Sequence, residues 1–168
     1  MTPLEPPDNH HLLAVVGWLE LGNPTEANEE LARLSPKSLD HVEVLEVRWM
    51  VCAATASWGP ALEVATRLHA QHPERDSGWL HRAYALRRVA GGGLEQAWEA
   101  LRPAYEKFPK TSLIPFNLAC YATQLGRLAD AWEWLHRAME AEGDVDRIKK
   151  MALADKDLEP LWSRNREL

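Results

Sequence analysis

The feature that most constrains this chain is a sequence repeat with steps of 34, 36 and 34 residues. Each repeat carries an alanine, a small or apolar residue four positions later, and another three positions after that. The offsets i, i+4 and i+7 fall on one face of an α-helix, so each repeat predicts a helix with one buried stripe. The stripe residues are Ala27, Leu31 and Leu34; Ala61, Ala65 and Leu68; Ala97, Leu101 and Ala104; and Ala131, Leu135 and Ala138.

An earlier helix is predicted ahead of the stripe helix in each repeat, covering residues 39–55, 77–90 and 112–125 in the last three. Residues typical of turns, such as Gly, Asn and Pro, separate the two helices. No stretch alternates apolar and polar residues with the period of two that marks a half-buried strand. The sequence therefore predicts an all-α fold built of repeated helix–turn–helix units.

Three local signals predict where helices begin or end. Asn23 followed by Pro24 is typical of a helix start, because Asn caps free amide groups and Pro suits the first turn. Gly126 is typical of a helix end, because glycine readily adopts the left-handed conformation there. Pro103 lies inside the stripe helix of the third repeat and should kink that helix.

These features resemble the tetratricopeptide repeat (TPR) family, whose unit pairs an aromatic-bearing first helix with a second helix that carries Ala, Phe, Ala and Pro. The third repeat shows the pattern with Trp79, Ala83 and the closing Pro109, whereas Trp49 departs from it in a slot that normally holds Gly or Ala. The resemblance implies a right-handed α-solenoid of four TPR-like repeats with a C-terminal capping helix. It places the repeats at about 8–37, 38–74, 75–110 and 111–142, after an extended arm at 1–7 and before a capping helix and tail at 143–168.

Composition excludes several classes of function. The net charge of −6 argues against general nucleic-acid binding, which needs a basic surface to replace counterions. No apolar run reaches 18 residues, and the first residues lack the charged and apolar regions of a signal peptide. Cys52 and Cys120 form no disulfide framework, so we expect reduced thiols in a cytoplasmic protein without membrane contact.

Candidate catalytic and ligand-binding groups are few, and each has a simpler structural explanation. His69 and His72 have a spacing that suits a metal, but no further ligands are near in sequence. The tract Gly91–Gly93 precedes a helix, but it lacks the Lys of a phosphate-binding loop. Cys120 and His136 could form a nucleophile and base, but no acid is placed to orient the base. We therefore predict no enzyme activity, no metal site and no cofactor.

The TPR resemblance implies that the first helices line a concave groove that holds a peptide or helix of a partner. Tyr84 and Phe116 are of the aromatic type that anchors interfaces, and Arg87 and Arg88 could bind carboxylates. We therefore predict a partner protein or peptide with an acidic segment; the alternative is that the arginines pair with acids of this chain. The predicted groove residues are Glu46, Met50, His81, Tyr84, Arg87, Arg88, Phe116, Asn117, Cys120 and Gln124.

Two functional hypotheses follow from this reading. The first is an adaptor that binds a partner in its groove. The second is a structural accessory protein that packs along a filament through its edge or convex face. In size, in its eight tryptophans and in its acidic, four-repeat layout, the chain is similar to the kinesin light chain-like TPR proteins encoded beside bacterial tubulins. That similarity implies a bacterial tubulin-like filament as the partner, bound by a monomer or weak homo-oligomer.

Trp134 stands apart, because the matching positions of the earlier repeats hold smaller or charged residues. The last repeat has no following repeat to cover it, and a solenoid needs an atypical closing element. We predict that Trp134 helps to position the closing segment around Ile148 or Trp162. The alternative is an exposed anchor for a partner.

Overall fold

The computed structural model describes residues 3–162. Within them the chain forms α-helices and two short 3-10 segments and no β-strand, which confirms the all-α class. Residues 1–2 of the predicted arm and 163–168 of the predicted tail lie outside the described residues. The α-helices are α1 Asp8–Glu20, α2 Pro24–Leu31, α3 Val42–Ala54, α4 Trp58–Gln71, α5 Asp76–Leu86, α6 Leu94–Leu101, α7 Ala104–Lys107, α8 Leu113–Gln124, α9 Leu128–Glu142 and α10 Val145–Ala154, and the 3-10 segments are Pro36–Ser38 and Lys156–Leu161.

The chain divides into two compact units, Met1–Ala85 and Leu86–Leu168, here called the N-terminal and C-terminal units. The boundary lies at the end of α5, and so within the predicted third repeat at 75–110. Among the described helices, none combines the length and the apolar composition needed to cross a bilayer.

The predicted stripe is the buried face of the second helices. Every one of its residues is at most 6% exposed, and all four of the alanines that define the repeat are 0% exposed. Alanine keeps the side-chain layer thin and lets neighbouring backbones approach, which accounts for its use at the innermost positions. The structure therefore confirms the stripe read from the sequence. Its members with the largest exposure are Leu34 and Leu31.

The first helices of three repeats end in the same backbone turn. After α1, α3 and α8, a residue with positive φ follows the helix, and the next amide donates a hydrogen bond back to the carbonyl five residues earlier in the chain. Glycine fills this position at Gly22 (φ 72°) and Gly126 (φ 76°), as predicted for the latter. At the equivalent position of the second repeat stands Ala56 (φ 52°), whose Cβ makes the left-handed conformation unfavourable.

The other local signals are also confirmed. The Asn23 side chain accepts a hydrogen bond from the Glu26 amide at 3.3 Å, and Pro24 is the first residue of α2. At Pro103 the effect is stronger than the predicted kink, since the helix divides into α6 and α7. Proline has no amide hydrogen to donate, and its ring clashes with the preceding turn.

In the N-terminal unit, α1 and α2 pack with α3 around an apolar cluster that includes Leu12, Val15 and Val44. Asp8, at the start of α1, is 1% exposed and accepts hydrogen bonds from the Ser35 amide at 2.9 Å and from the hydroxyls of Ser35 and Ser38. These bonds favour the carboxylate and lower the pKa of Asp8 to about 2. The start of α1 is therefore fixed to the loop that follows α2.

In the C-terminal unit, α8 is the central helix. It packs against α6 and α9 and is also covered by the 3-10 segment Lys156–Leu161. Leu158 and Leu161 of that segment are 0% and 1% exposed. The Trp162 indole donates a hydrogen bond at 2.9 Å to the Ala152 carbonyl, which holds the segment to α10. The chain therefore folds back after α10 and covers a face of α8.

Candidate functional site

The predicted groove residues of the N-terminal unit lie on α3 and α5. Met50 is 43% exposed, and Glu46 is partly buried and accepts a hydrogen bond from the Ser77 hydroxyl at 2.6 Å. Ser77 is a neutral donor, so the negative charge of Glu46 is not cancelled by this bond. These two side chains remain candidates for contact with a partner.

His81 and Tyr84, also predicted for the groove, take part in an aromatic cluster with Trp49. The His81 and Trp49 rings stack with centroids 3.8 Å apart and planes at 1°, and Tyr84 meets Trp49 edge-on at 5.8 Å. Tyr84 also lies 5.8 Å from the Trp58 ring. Burial disfavours the charged imidazole and lowers the pKa of His81 to about 4, against a smaller opposing effect of Asp76. His81 is therefore neutral at pH 7 and contributes packing between α3 and α5.

This cluster explains the departure of Trp49 from the TPR pattern. A large ring takes the place of a small residue on α3, and a flat ring on α5 stacks against it. The close approach that small residues permit elsewhere occurs between α4 and α5 instead. There a Cβ added to Gly78 would lie 3.0 Å from the backbone of His69.

An apolar groove between α1 and α3 opens toward solvent in the N-terminal unit. Its volume is about 450 Å³, within the range of about 300–1,000 Å³ typical of ligand sites. Leu13 lines this groove and is 70% exposed, whereas the adjacent Leu12 is 8% exposed. Its other lining includes Leu4, Leu12, Val16 and Val47, together with the carboxylates Glu43 and Glu46.

The sequence predicted the α3 side of this groove but not its α1 side. The signal was present, since Leu12 and Leu13 are followed three residues later by Val15 and Val16. Two adjacent apolar stripes on one helix indicate that only one of them can face the core. Leu12 and Val15 are buried, so Leu13 and Val16 form the second stripe.

The predicted groove residues of the C-terminal unit have a different environment. The Arg87 guanidinium forms an ion pair with Asp157, and the Gln124 amide donates to the Asp157 carbonyl at 3.0 Å. The Cys120 thiol lies 3.7 Å from an Asp155 carboxylate oxygen. The structure thus brings three of the predicted residues together around an acidic segment of the same chain, defined here as residues 155–161.

The remaining predicted residues of this unit are engaged locally or only partly exposed. Phe116 is 5% exposed and belongs to the core. The Asn117 side chain donates to the Leu113 carbonyl one turn earlier at 2.8 Å. Arg88 is partly buried. The arginine pairing considered as an alternative from the sequence is therefore present for Arg87.

The Cys120 environment opposes thiolate chemistry. Burial, reinforced by the neighbouring charges of Asp155 and Asp157, raises the pKa of the Cys120 thiol well above its usual value. The His136 ring packs edge-on to Trp132 at 5.0 Å. The thiol and the two carboxylates lie within 4.8 Å of one another, a spacing compatible with metal ligands, but Arg87 already balances the charge of Asp157.

The other polar candidates have structural partners as well. The His69 ring meets Trp79 edge-on at 4.2 Å, and His72 lies 3.6 Å from Glu74. At Gly92, an added Cβ would lie 2.0 Å from the Leu86 carbonyl oxygen, so the glycine tract permits a close backbone approach after α5.

Trp134 is 9% exposed and packs toward the preceding helices. Its ring meets Tyr105 edge-on at 5.0 Å and Trp98 at 5.9 Å, and the Arg137 guanidinium lies 4.4 Å from its centroid. The predicted contact of Trp134 with the closing segment around Ile148 or Trp162 is not among these ring contacts. In the described structure Trp134 joins α9 to α6 and α7.

Comparison of the sequence with models of known protein families finds no match, and comparison with curated proteins finds none either.

Proposed function

We propose that this chain is a non-catalytic protein–protein interaction scaffold of TPR-like repeats, which binds a partner protein through the groove face of its first helices. The repeated units would form the right-handed solenoid implied by the resemblance. Binding would need neither a cofactor nor a metal.

The observation that carries this proposal is the position of the apolar groove between α1 and α3. Glu46, which the TPR resemblance assigns to the partner-facing side of α3, lines this groove together with Glu43 and Val47 of the same helix. An exposed apolar patch that is surrounded by polar groups commonly marks an interaction site. The coincidence of an independent sequence assignment with an exposed groove supports a binding role for that face.

The repeat features give further support. The stripe residues are buried in all four repeats, and the same helix-ending turn recurs after α1, α3 and α8. On the first helices α1 and α3, Leu13, Glu43 and Met50 stay exposed and are available for binding. In this reading the second helices provide the framework and the first helices provide specificity.

The proposal is tested with the full chain immobilised as bait for a library of random peptides displayed on phage. We expect enrichment of peptides that bind the purified chain in solution, and about tenfold weaker binding on the groove substitution Leu13→Ser. Leu128→Ser, at a leucine that is 41% exposed on α9, is the matched control and should bind as the wild type does. Enriched peptides that bind both variants equally would contradict the groove proposal.

The filament hypothesis predicts a different pattern. A structural accessory protein should sediment with a polymerised partner at fixed stoichiometry and ignore short peptides. Two results together would favour the filament role over the adaptor role. No peptide would be enriched, and sedimentation with the polymer would be unchanged by Leu13→Ser.

A further inference from the structure

We infer that the groove between α1 and α3 binds a partner segment that carries an apolar side chain next to lysine or arginine. This inference rests on the proposed function and specifies the chemistry of its partner. It reverses the acidic partner predicted from Arg87 and Arg88, and three observations carry it.

The first observation is the lining of the groove. Its apolar part offers Leu13, which is 70% exposed, and Val47 to an apolar side chain. Its charged part consists of Glu43 and Glu46, and within the described residues no lysine or arginine lines it. A carboxylate pair beside an apolar opening favours an apolar group flanked by a cation.

The second observation is that these carboxylates are not neutralised. The Glu46 side chain accepts a hydrogen bond from the Ser77 hydroxyl, which carries no charge. Glu43 is exposed, and no ion pair to it occurs among residues 3–162. One turn after Glu46, Met50 extends the same helix face with a flexible apolar side chain that is 43% exposed.

The third observation is the division of charge between the two units. Residues 1–85 hold 12 acidic and 6 basic side chains, a net charge of −6, whereas residues 86–168 hold 13 of each. The whole net charge of the chain therefore belongs to the unit that contains the groove. Such a field raises the encounter rate with basic segments and disfavours acidic ones.

The acidic partner predicted from the sequence depended on Arg87 and Arg88. The Arg87 guanidinium is already paired with Asp157. The chain thus supplies its own acidic segment at α8 and leaves an acidic-rimmed groove open at α1 and α3.

The inference is tested with the peptide most enriched by the phage selection, labelled with a fluorophore and titrated with the full chain by fluorescence anisotropy. We expect lysine or arginine beside leucine, isoleucine, methionine or phenylalanine in the enriched sequences. Replacing the basic residues of the peptide by glutamate should abolish measurable binding. Raising the salt concentration should weaken the binding of the original peptide.

Two variants assign the effect to the groove. Leu13→Ser should weaken binding by about tenfold, the effect of losing one apolar anchor. Glu43→Lys should weaken it by about three- to tenfold, as expected for reversing one exposed charge. Glu74→Lys is the matched control, because Glu74 is also exposed in the N-terminal unit but does not line the groove. All three positions are exposed, so thermal unfolding should show equal stability.

The possible outcomes separate this inference from the proposed function. Acidic or uncharged peptides that still depend on Leu13 would overturn the basic partner and leave the scaffold role intact. Peptides that ignore both Leu13 and Glu43 would overturn both. A dimer in analytical ultracentrifugation that Leu13→Ser converts to monomer would assign the groove to a second copy of this chain and overturn the inference.

Discussion

The first helices of the two units carry the same predicted groove face, yet its environment differs between them. In the N-terminal unit this face contains an open apolar groove with two carboxylates, Glu43 and Glu46. In the C-terminal unit the face of α8 is covered by residues 155–161, and Arg87 is bound to Asp157. A repeat pattern therefore identifies a helix face that could bind a partner. It does not indicate whether another segment of the same chain covers that face.

The largest expected effect tests whether the acidic segment is a fixed part of the C-terminal unit. Leu158 is 0% exposed, so Leu158→Ala should lower the free energy of unfolding by about 2–5 kcal/mol in urea denaturation. The control Leu153→Ala, at a leucine of α10 that is 38% exposed, should cost about 0.5 kcal/mol or less. Equal small losses for both variants would mean that the segment is only loosely held and that the α8 face can open.

The second prediction concerns the aromatic cluster that holds α3 to α5. His81 has a folded-state pKa of about 4, below its ordinary 6.5, so the unfolded chain binds the proton first as the pH falls. The stability contributed by neutral His81 is complete above pH 6.5 and is lost progressively down to about pH 4. At pH 5 the loss should be about 2 kcal/mol relative to pH 7.5.

His81→Phe keeps a ring against Trp49 and removes the titrating group. This variant should lose about 2 kcal/mol less than the wild type between pH 7.5 and pH 5 in urea denaturation. His136→Phe, whose ring lies against Trp132 in the C-terminal unit, should keep the acid sensitivity that His81 causes. An identical acid response in wild type and His81→Phe would show that the imidazole is accessible to water and not part of the packed cluster.

The third prediction measures how strongly the C-terminal unit neutralises its own arginine. Arg87 and Asp157 are partly exposed, with side chains 20% and 26% accessible, so their coupling should be about 1 kcal/mol. A double-mutant cycle of Arg87→Met and Asp157→Asn measures that value by chemical denaturation. The control cycle combines Lys156→Met with Asp157→Asn, because Lys156 is exposed on the same segment. A coupling of zero in the first cycle would mean that Arg87 is available to an acidic partner. The two units would then not differ in whether their predicted groove residues are neutralised.

The smallest expected effect concerns the turns that follow α1, α3 and α8. Ala56→Gly should raise the free energy of unfolding by about 1 kcal/mol, because glycine removes the cost of a left-handed alanine. Gly22→Ala and Gly126→Ala should each lower it by a similar amount, since an added Cβ meets no atom within 4 Å at either site and only the backbone term remains. Differential scanning calorimetry would detect both changes. A neutral Ala56→Gly would mean that this turn relaxes to another conformation.

The all-α class and the buried faces of the second helices were predictable from the sequence, because helical signals are local. The stripe residues repeat at helical spacing, and Asn23, Pro103 and Gly126 act on backbone groups within a turn of themselves. The candidate site was predictable only in part. The α3 side of the groove followed from the repeat alignment, whereas the α1 side required knowing that Leu12 and Val15 face the core and that Leu13 does not.

The sequence by itself determined the all-α class, the buried stripe and three of the positions at which helices begin, break or end, since each depends on residues within about two helical turns. Only the tertiary structure decided that Asp157 reaches Arg87, 70 residues away in the chain, and that Trp134 packs on Trp98 and Tyr105. Such contacts depend on how the chain folds back after α10 and on which helices become neighbours. The charges and rings that form them have several possible partners in the sequence, and the packing of the apolar core selects among those partners.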